Sequence, residues 1–183
     1  MVRMHAEDLR RPAQPLDLEA AASMWRAYCG AFPEAVAAAP EYTVDRFGDH
    51  AQLADELLDL VLFGAKRATA DLVDEFVSRG DALPRIGEHW IACDGSGAPR
   101  AILRSTDLRV GPFSHGDASF AAAEAEGDGS LESWQREHRR YWTRVCAARG
   151  ASWSESQEIV FEHFSVVWPP EHRDEAPSAP HGR

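Results

Sequence analysis

Between His50 and Phe63 the chain carries apolar residues at helical spacing: Leu53, Leu57, Leu60 and Val61 recur with Asp55, Glu56 and Asp59 between them. That spacing predicts an amphipathic helix. Gly64 is expected to end it in the left-handed conformation that glycine adopts without steric cost. A short turn then presents Lys66 and Thr69, ahead of a second apolar set at Leu72, Val73 and Phe76. A lysine and a hydroxyl held against a buried helix end form a candidate reactive constellation.

The same reading extends along the chain. Residues Leu16 to Cys29 predict a first helix with Leu18, Ala22, Trp25 and Cys29 on one stripe, ended by Gly30 and Pro33. Glu34 to Ala39 read as a short helical turn and Ser78 to Pro84 as a loop. Glu88 to Cys93 and Arg100 to Val110 read as strands joined by a hairpin turn at Asp94 to Gly97. Imperfect alternation along the second, with Ile102 and Arg104 on one face and Leu103 and Ser105 on the other, predicts a bulge or barrel corner. Asp117 is a good N-cap for a short helix to Ala123, and Ser130 for a longer one to about Ala148, closed by Gly150. On that wheel Trp134, His138, Tyr141 and Val145 fall together, read as core, opposite Arg136, Arg139, Arg140 and Arg144. Glu158 to Trp168 form the clearest strand, stopped by Pro169 and Pro170. The polar, Pro-rich stretch beyond it is expected to be disordered.

Four stretches, in this order, are similar to the ASCH domain family, a PUA-like β-barrel group. The first is FGD…ADELLDLVLFGAKRATADL, from Phe47 to Leu72, which resembles the family form ADELA-x-LVL-x-G-x-K-x-AT-x-SL. The others are Leu83 to Gly87, Glu124 to Trp134 and Ile159 to Trp168. The resemblance spans roughly Tyr42 to Trp168. It implies an α+β fold, a small PUA-like barrel flanked by helices. Residues 1–40 would be an N-terminal extension with one helix, 41–168 the ASCH domain and 169–183 a disordered tail. For ASCH enzymes that hydrolyse N4-acetylcytidine, it implies that Lys66 and Thr69 act with a downstream glutamate. The family's EGEGD pattern favours Glu126, with Glu124 behind it. Asp71 stands where the family carries serine, so no role transfers from that serine.

The resemblance leaves three functions open: an amidohydrolase acting on an N4-acetylcytidine-like pyrimidine nucleoside, a module that grips RNA or a nucleotide without turnover, and an ASCH-type ribonuclease. In the first, Lys66 would be a neutral base activating water or the Thr69 hydroxyl, and Glu126 would carry a proton to the leaving amine. Phe47, Asp49, Asp71, Trp90, Arg104, Glu124 and Glu162 are the expected substrate-binding set. Trp90 and Phe47 would stack on a base, and Arg104 is one possible partner for a buried Glu162.

Charge narrows these choices. The 183 residues carry a formal net charge of -11, which forfeits most of the phosphate-neutralising term of non-specific nucleic-acid binding. Arg136, Arg139, Arg140 and Arg144 make the one basic stripe, able to supply phosphate contacts without base readout. The expected partner is therefore a small nucleoside or a local single-stranded RNA segment. Three scattered cysteines fit reduced thiols in a cytoplasm. The first fifteen residues show no signal-peptide hydrophobic segment, and no apolar run approaches the roughly 20 residues needed to span a bilayer. There is no CxxC, HExxH, Walker A loop, GxGxxG or GxSxG, so no cofactor and no metal are expected.

Overall fold

The computed structural model describes residues 11–175. Six helices surround one five-stranded sheet. In chain order they are α1 (Leu18–Ala31), α2 (Pro33–Val36), β1 (Tyr42–Asp45), α3 (Ala51–Leu62), β2 (Ala68–Leu72), α4 (Val73–Arg79), β3 (His89–Cys93), β4 (Pro99–Gly111), α5 (Ala118–Glu124), α6 (Leu131–Ala148) and β5 (Ile159–Trp168). The strands lie in the order β1-β3-β4-β5-β2. β1 runs parallel to β3, and every other pairing is antiparallel. β4 and β5 are the long strands, and their register slips at Ile102/Leu103 and at Ser105/Asp107. Bulges raise local twist and bend the strand, so the sheet curls into a half-barrel. The architecture is the expected α+β, PUA-like one.

Three apolar clusters hold it. Phe47, Leu58, Val61, Leu103, Phe164 and Val166 seat α3 inside the curl. Phe113, Phe120, Trp134, Trp142 and Phe161 seat α5 and α6 against β2 and β5. Trp25 and Tyr28 of α1 pack with Ile91 and Ile102 on the other face. Asp17, His50, Asp117 and Ser130 cap their helices with side-chain acceptors for orphan backbone N–H groups.

Several sequence expectations need correction. α1 buries Ala21, Trp25 and Tyr28, while Leu18 is 62% exposed, so the stripe is rotated from the Leu18–Ala22–Cys29 line. Along α6 the buried residues are Ser133, Trp134, His138, Trp142 and Cys146, while Tyr141 and Val145 are only partly buried, packed against the same cluster. Thr69 lies on strand β2 rather than on a turn. Gly64 is absent from the left-handed residues. Its glycine requirement is one of space, since a Cβ there would sit 2.9 Å from the Leu60 carbonyl oxygen. Residues 169–175 are tied down, because the Asp174 carboxylate holds the Arg67 guanidinium at 2.7–3.0 Å and accepts from the Val166 N–H at 2.8 Å. The rest of the expected tail, 176–183, and residues 1–10 lie outside the described residues.

Candidate functional site

Residues 64–67 are clamped from three sides. The Lys66 N–H donates to the Leu60 carbonyl at the end of α3, the Arg67 N–H to Ala123 of α5, and the Phe164 N–H of β5 to the Arg67 carbonyl. This backbone grip turns the Lys66 side chain inward, where it is fully buried. Its ammonium lies 2.6 Å from Glu126 Oε1, 3.8 Å from Glu124 Oε1 and 5.5 Å from the centre of the Phe47 ring. α5 ends between the two glutamates: Ala125 takes a left-handed φ of 54°, and this reversal turns Glu126 back toward the lysine.

Charge distribution in this cluster is uneven. Burial alone would push the Lys66 amine down, but the Glu126 and Glu124 carboxyls outweigh it and hold the amine above its ordinary value. The lysine is therefore an ammonium, and the expectation of a neutral lysine base is corrected. Burial would raise Glu126, yet Lys66 and the more distant His138 hold it below the usual range. Glu124 stays above its ordinary value, because complete burial outweighs the nearby Lys66 ammonium and the Trp134 indole N–H that donates to its Oε2. His138 Nε2 lies 3.2 Å from that same Oε2. Its Nδ1 lies 3.0 Å from the Trp134 carbonyl oxygen, which can only accept, so Nδ1 carries a hydrogen.

Glu124, Glu126 and His138 each bring one ligating atom within 4.8 Å of the others, a spacing that would suit a metal ion. The Lys66 ammonium supplies positive charge to the same two carboxyls.

In front of the cluster opens a cavity of about 440 Å³, lined by Thr69, Asp71, Glu124, Glu126, His138 and Glu162 among others. That volume falls in the range of small-molecule sites. Phe47, Phe76, Trp90 and Tyr141 supply its aromatic walls, and Arg46, Arg79, Arg140 and Arg144 also line it. Thr69 of β2 is the direct register partner of Glu162 of β5, which puts both on one face of the sheet. Burial raises Asp71 well above the carboxylate range, helped by Glu75 alongside.

The structure thus brings together Lys66, Thr69, Glu126, Phe47, Asp71, Trp90, Glu124 and Glu162, with Lys66 buried behind the lining rather than in it. It does not bring in Arg104, whose guanidinium turns away to the Gly87 carbonyl. Glu162 instead accepts the Ser105 hydroxyl, made reachable by the bulge after Ser105. Asp49 is also outside the lining and holds Arg144 through two hydrogen bonds at 2.9 and 3.1 Å. The arginine stripe divides. Arg136, paired with Glu137, and Arg139, paired with Glu155, stay out of the cavity lining, while Arg140, which shares Glu137, and Arg144, held by Asp49, line it. The sequence reading missed His138, Tyr141, Arg46 and Arg79. His138 had a signal, a polar ring on an otherwise aromatic stripe.

A curled half-barrel with helices on its faces and one polar-floored cavity defines the PUA-like class of domains. Within that class the chain belongs to the ASCH domain family, whose model matches residues 43–168. Two solved structures are similar to it. One is an ASCH domain from Lactobacillus crispatus JV V101, 29% identical, covering 81% of this chain and 94% of its own, with a TM-score of 0.74. The other is a protein from Enterococcus faecalis V583, 27% identical, covering 82% of this chain and 89% of its own, with a TM-score of 0.72. No curated protein matches the sequence. Among the described residues no helix is long and apolar enough to cross a membrane.

Proposed function

We propose that the cavity hydrolyses the exocyclic amide of an N4-acylated pyrimidine nucleoside such as N4-acetylcytidine. The observation that carries this reading is Glu126 on the cavity wall with the Lys66 amine 2.6 Å behind it, a pairing that favours the carboxylate. Glu126 is the base: its carboxylate takes a proton from a water as the oxygen attacks the acyl carbon. The C–N4 bond then breaks, and the same carboxyl returns its proton to the departing nitrogen. Cytidine and the free acid are the products. Lys66 keeps Glu126 ionised and lends positive potential to the developing oxyanion from behind the wall. Thr69, on the cavity face of β2, orients the attacking water with its hydroxyl.

Incubating the protein with N4-acetylcytidine and separating the products chromatographically tests this. Cytidine and acetate are expected to form together, and Glu126→Gln is expected to lower turnover by at least about a hundredfold.

A second reading, capture of a nucleotide or a short single-stranded RNA segment without turnover, draws on Arg46, Arg79, Arg140 and Arg144 along the same cavity. Binding that is undiminished in Glu126→Gln, with no product from the native chain, would favour it.

A further inference from the structure

Lys66 is the only lysine in the chain, so whatever fixes its ammonium beside Glu126 fixes the centre of the site. The peptide group that joins Lys66 to Arg67 is held at both ends. Its N–H donates to the Ala123 carbonyl at 2.7 Å, and its carbonyl oxygen accepts from Nη1 of the Arg67 side chain at 2.6 Å. The same Nη1 donates to the Val61 carbonyl, in the last turn of α3, at 3.0 Å. The Arg67 guanidinium is therefore a brace between the lysine's own peptide and a packed helix.

A brace works only if it is held in turn. The Arg67 side chain is 30% exposed, so water competes for it. Asp174 settles that competition: its two carboxylate oxygens accept three hydrogen bonds from Nε and Nη2 at 2.7–3.0 Å. Such forked pairs are strong and directional. Asp174 is itself fixed to β5, because its N–H donates to the Val166 carbonyl at 2.9 Å and its Oδ2 accepts the Val166 N–H at 2.8 Å. The residues before it are anchored as well. His172 sits edge-on to Phe63 at the end of α3, and the Arg173 guanidinium covers the Phe32 ring at 4.2 Å.

We propose that residues 169–175 form a strap that positions the Lys66 ammonium, acting through Asp174 and Arg67 on the Lys66 peptide. Asp174 and Arg67 are positioning residues, and the strap acts from outside the stretch, 43–168, that matches the family. What it controls is the 2.6 Å contact between Lys66 and Glu126. Without Asp174 the guanidinium swings into water, the Lys66 carbonyl is released and its peptide is free to turn. A misplacement of about 1 Å in a catalytic contact is enough to cost on the order of a hundredfold in rate. The inference concerns the geometry of the buried cluster, so it applies to hydrolysis and to capture alike.

With a single lysine in the chain, acylation by acetic anhydride followed by peptide mass spectrometry reports on Lys66 without any substrate. Asp174→Ala is expected to melt within about 5 °C of the native chain, yet to acylate at Lys66 at least about tenfold faster. Arg67→Met leaves the strap's bonds to Val166 in place and is expected to do the same. The double variant should go no further than either single one, because both act in one path. On N4-acetylcytidine, both variants are expected to lower kcat more than they raise KM. They should also move the acid limb of the pH profile upward, since Glu126 loses the neighbour that holds it down. A strap that only stabilises the fold would leave the labelling rate and the acid limb unchanged. That result in either folded variant overturns the proposal, as would additive effects in the double variant. The two readings fail separately. Faster labelling in the variants with N4-acetylcytidine left intact by the native chain refutes hydrolysis alone, and hydrolysis with labelling and acid limb unchanged in the variants refutes the strap alone.

Discussion

Lys66 shows how a single side chain is redefined by its surroundings. A lysine after a helix-ending glycine is read from sequence as an amine that burial would neutralise, and burial acts in that direction. Two carboxyls within 4 Å reverse the outcome. Removing the ammonium leaves those carboxyls buried without a counter-charge, so Lys66→Ala is expected to cost about 3 kcal/mol at neutral pH. The sign with pH follows from Glu126. Its folded value is depressed, so its share of stability is present above its ordinary value of 4.5 and is lost as pH falls through the lower folded value. In Lys66→Ala that share is absent, so the gap between the two chains narrows in acid. Urea unfolding at pH 4 and pH 7.5 measures it, and a gap that is constant with pH would contradict the pairing. Glu162 has the opposite sign. Its folded value is raised, so the native state holds a proton that the unfolded chain releases, and its burial costs stability as pH rises from the ordinary value of 4.5 through the raised one. Glu162→Gln is therefore expected to show a smaller fall in melting temperature between pH 4.5 and 7.5 than the native chain.

At the scale of elements, the sequence was legible wherever one local rule decided the outcome. The helix spacing from Leu53 to Val61, the Asp117 and Ser130 caps, the hairpin at Asp94 to Gly97 and the bulged long strand all appear as read. It was not legible where a distant contact decided. Thr69 looks like part of a turn until β5 pairs with it, and Arg104 looks like a partner for Glu162 until the bulge brings Ser105 there instead. His138 reads as a core aromatic because nothing in α6 reveals that Glu124 of α5 meets its ring. Ala125 belongs to this scale too. A non-glycine residue with φ at 54° is disfavoured by roughly 1 kcal/mol. Ala125→Gly is expected to raise stability by about 0.5–1 kcal/mol in thermal unfolding. A fall in stability instead would mean that the turn places Glu126 by a rigidity that glycine cannot supply.

At the scale of the whole molecule, a net charge of -11 coexists with a cavity that several arginines line. Distribution matters more than the total here. All four arginines of the stripe have carboxylate partners, but only Arg140 and Arg144, paired with Glu137 and Asp49, also line the cavity. If a short RNA binds, Arg140→Glu with Arg144→Glu should reduce the slope of affinity against salt by about one for each phosphate no longer neutralised. Arg136→Glu with Arg139→Glu should leave that slope unchanged. The central claim concerns which group in the buried cluster is the base, and the pH dependence of kcat/KM on N4-acetylcytidine tests it most directly. A Glu126 base beside a charged Lys66 predicts a rate that rises through one ionisation below the ordinary glutamate value and stays level through neutrality. A rate that is low at neutral pH and climbs only as an amine loses its proton would contradict it and return the role to Lys66.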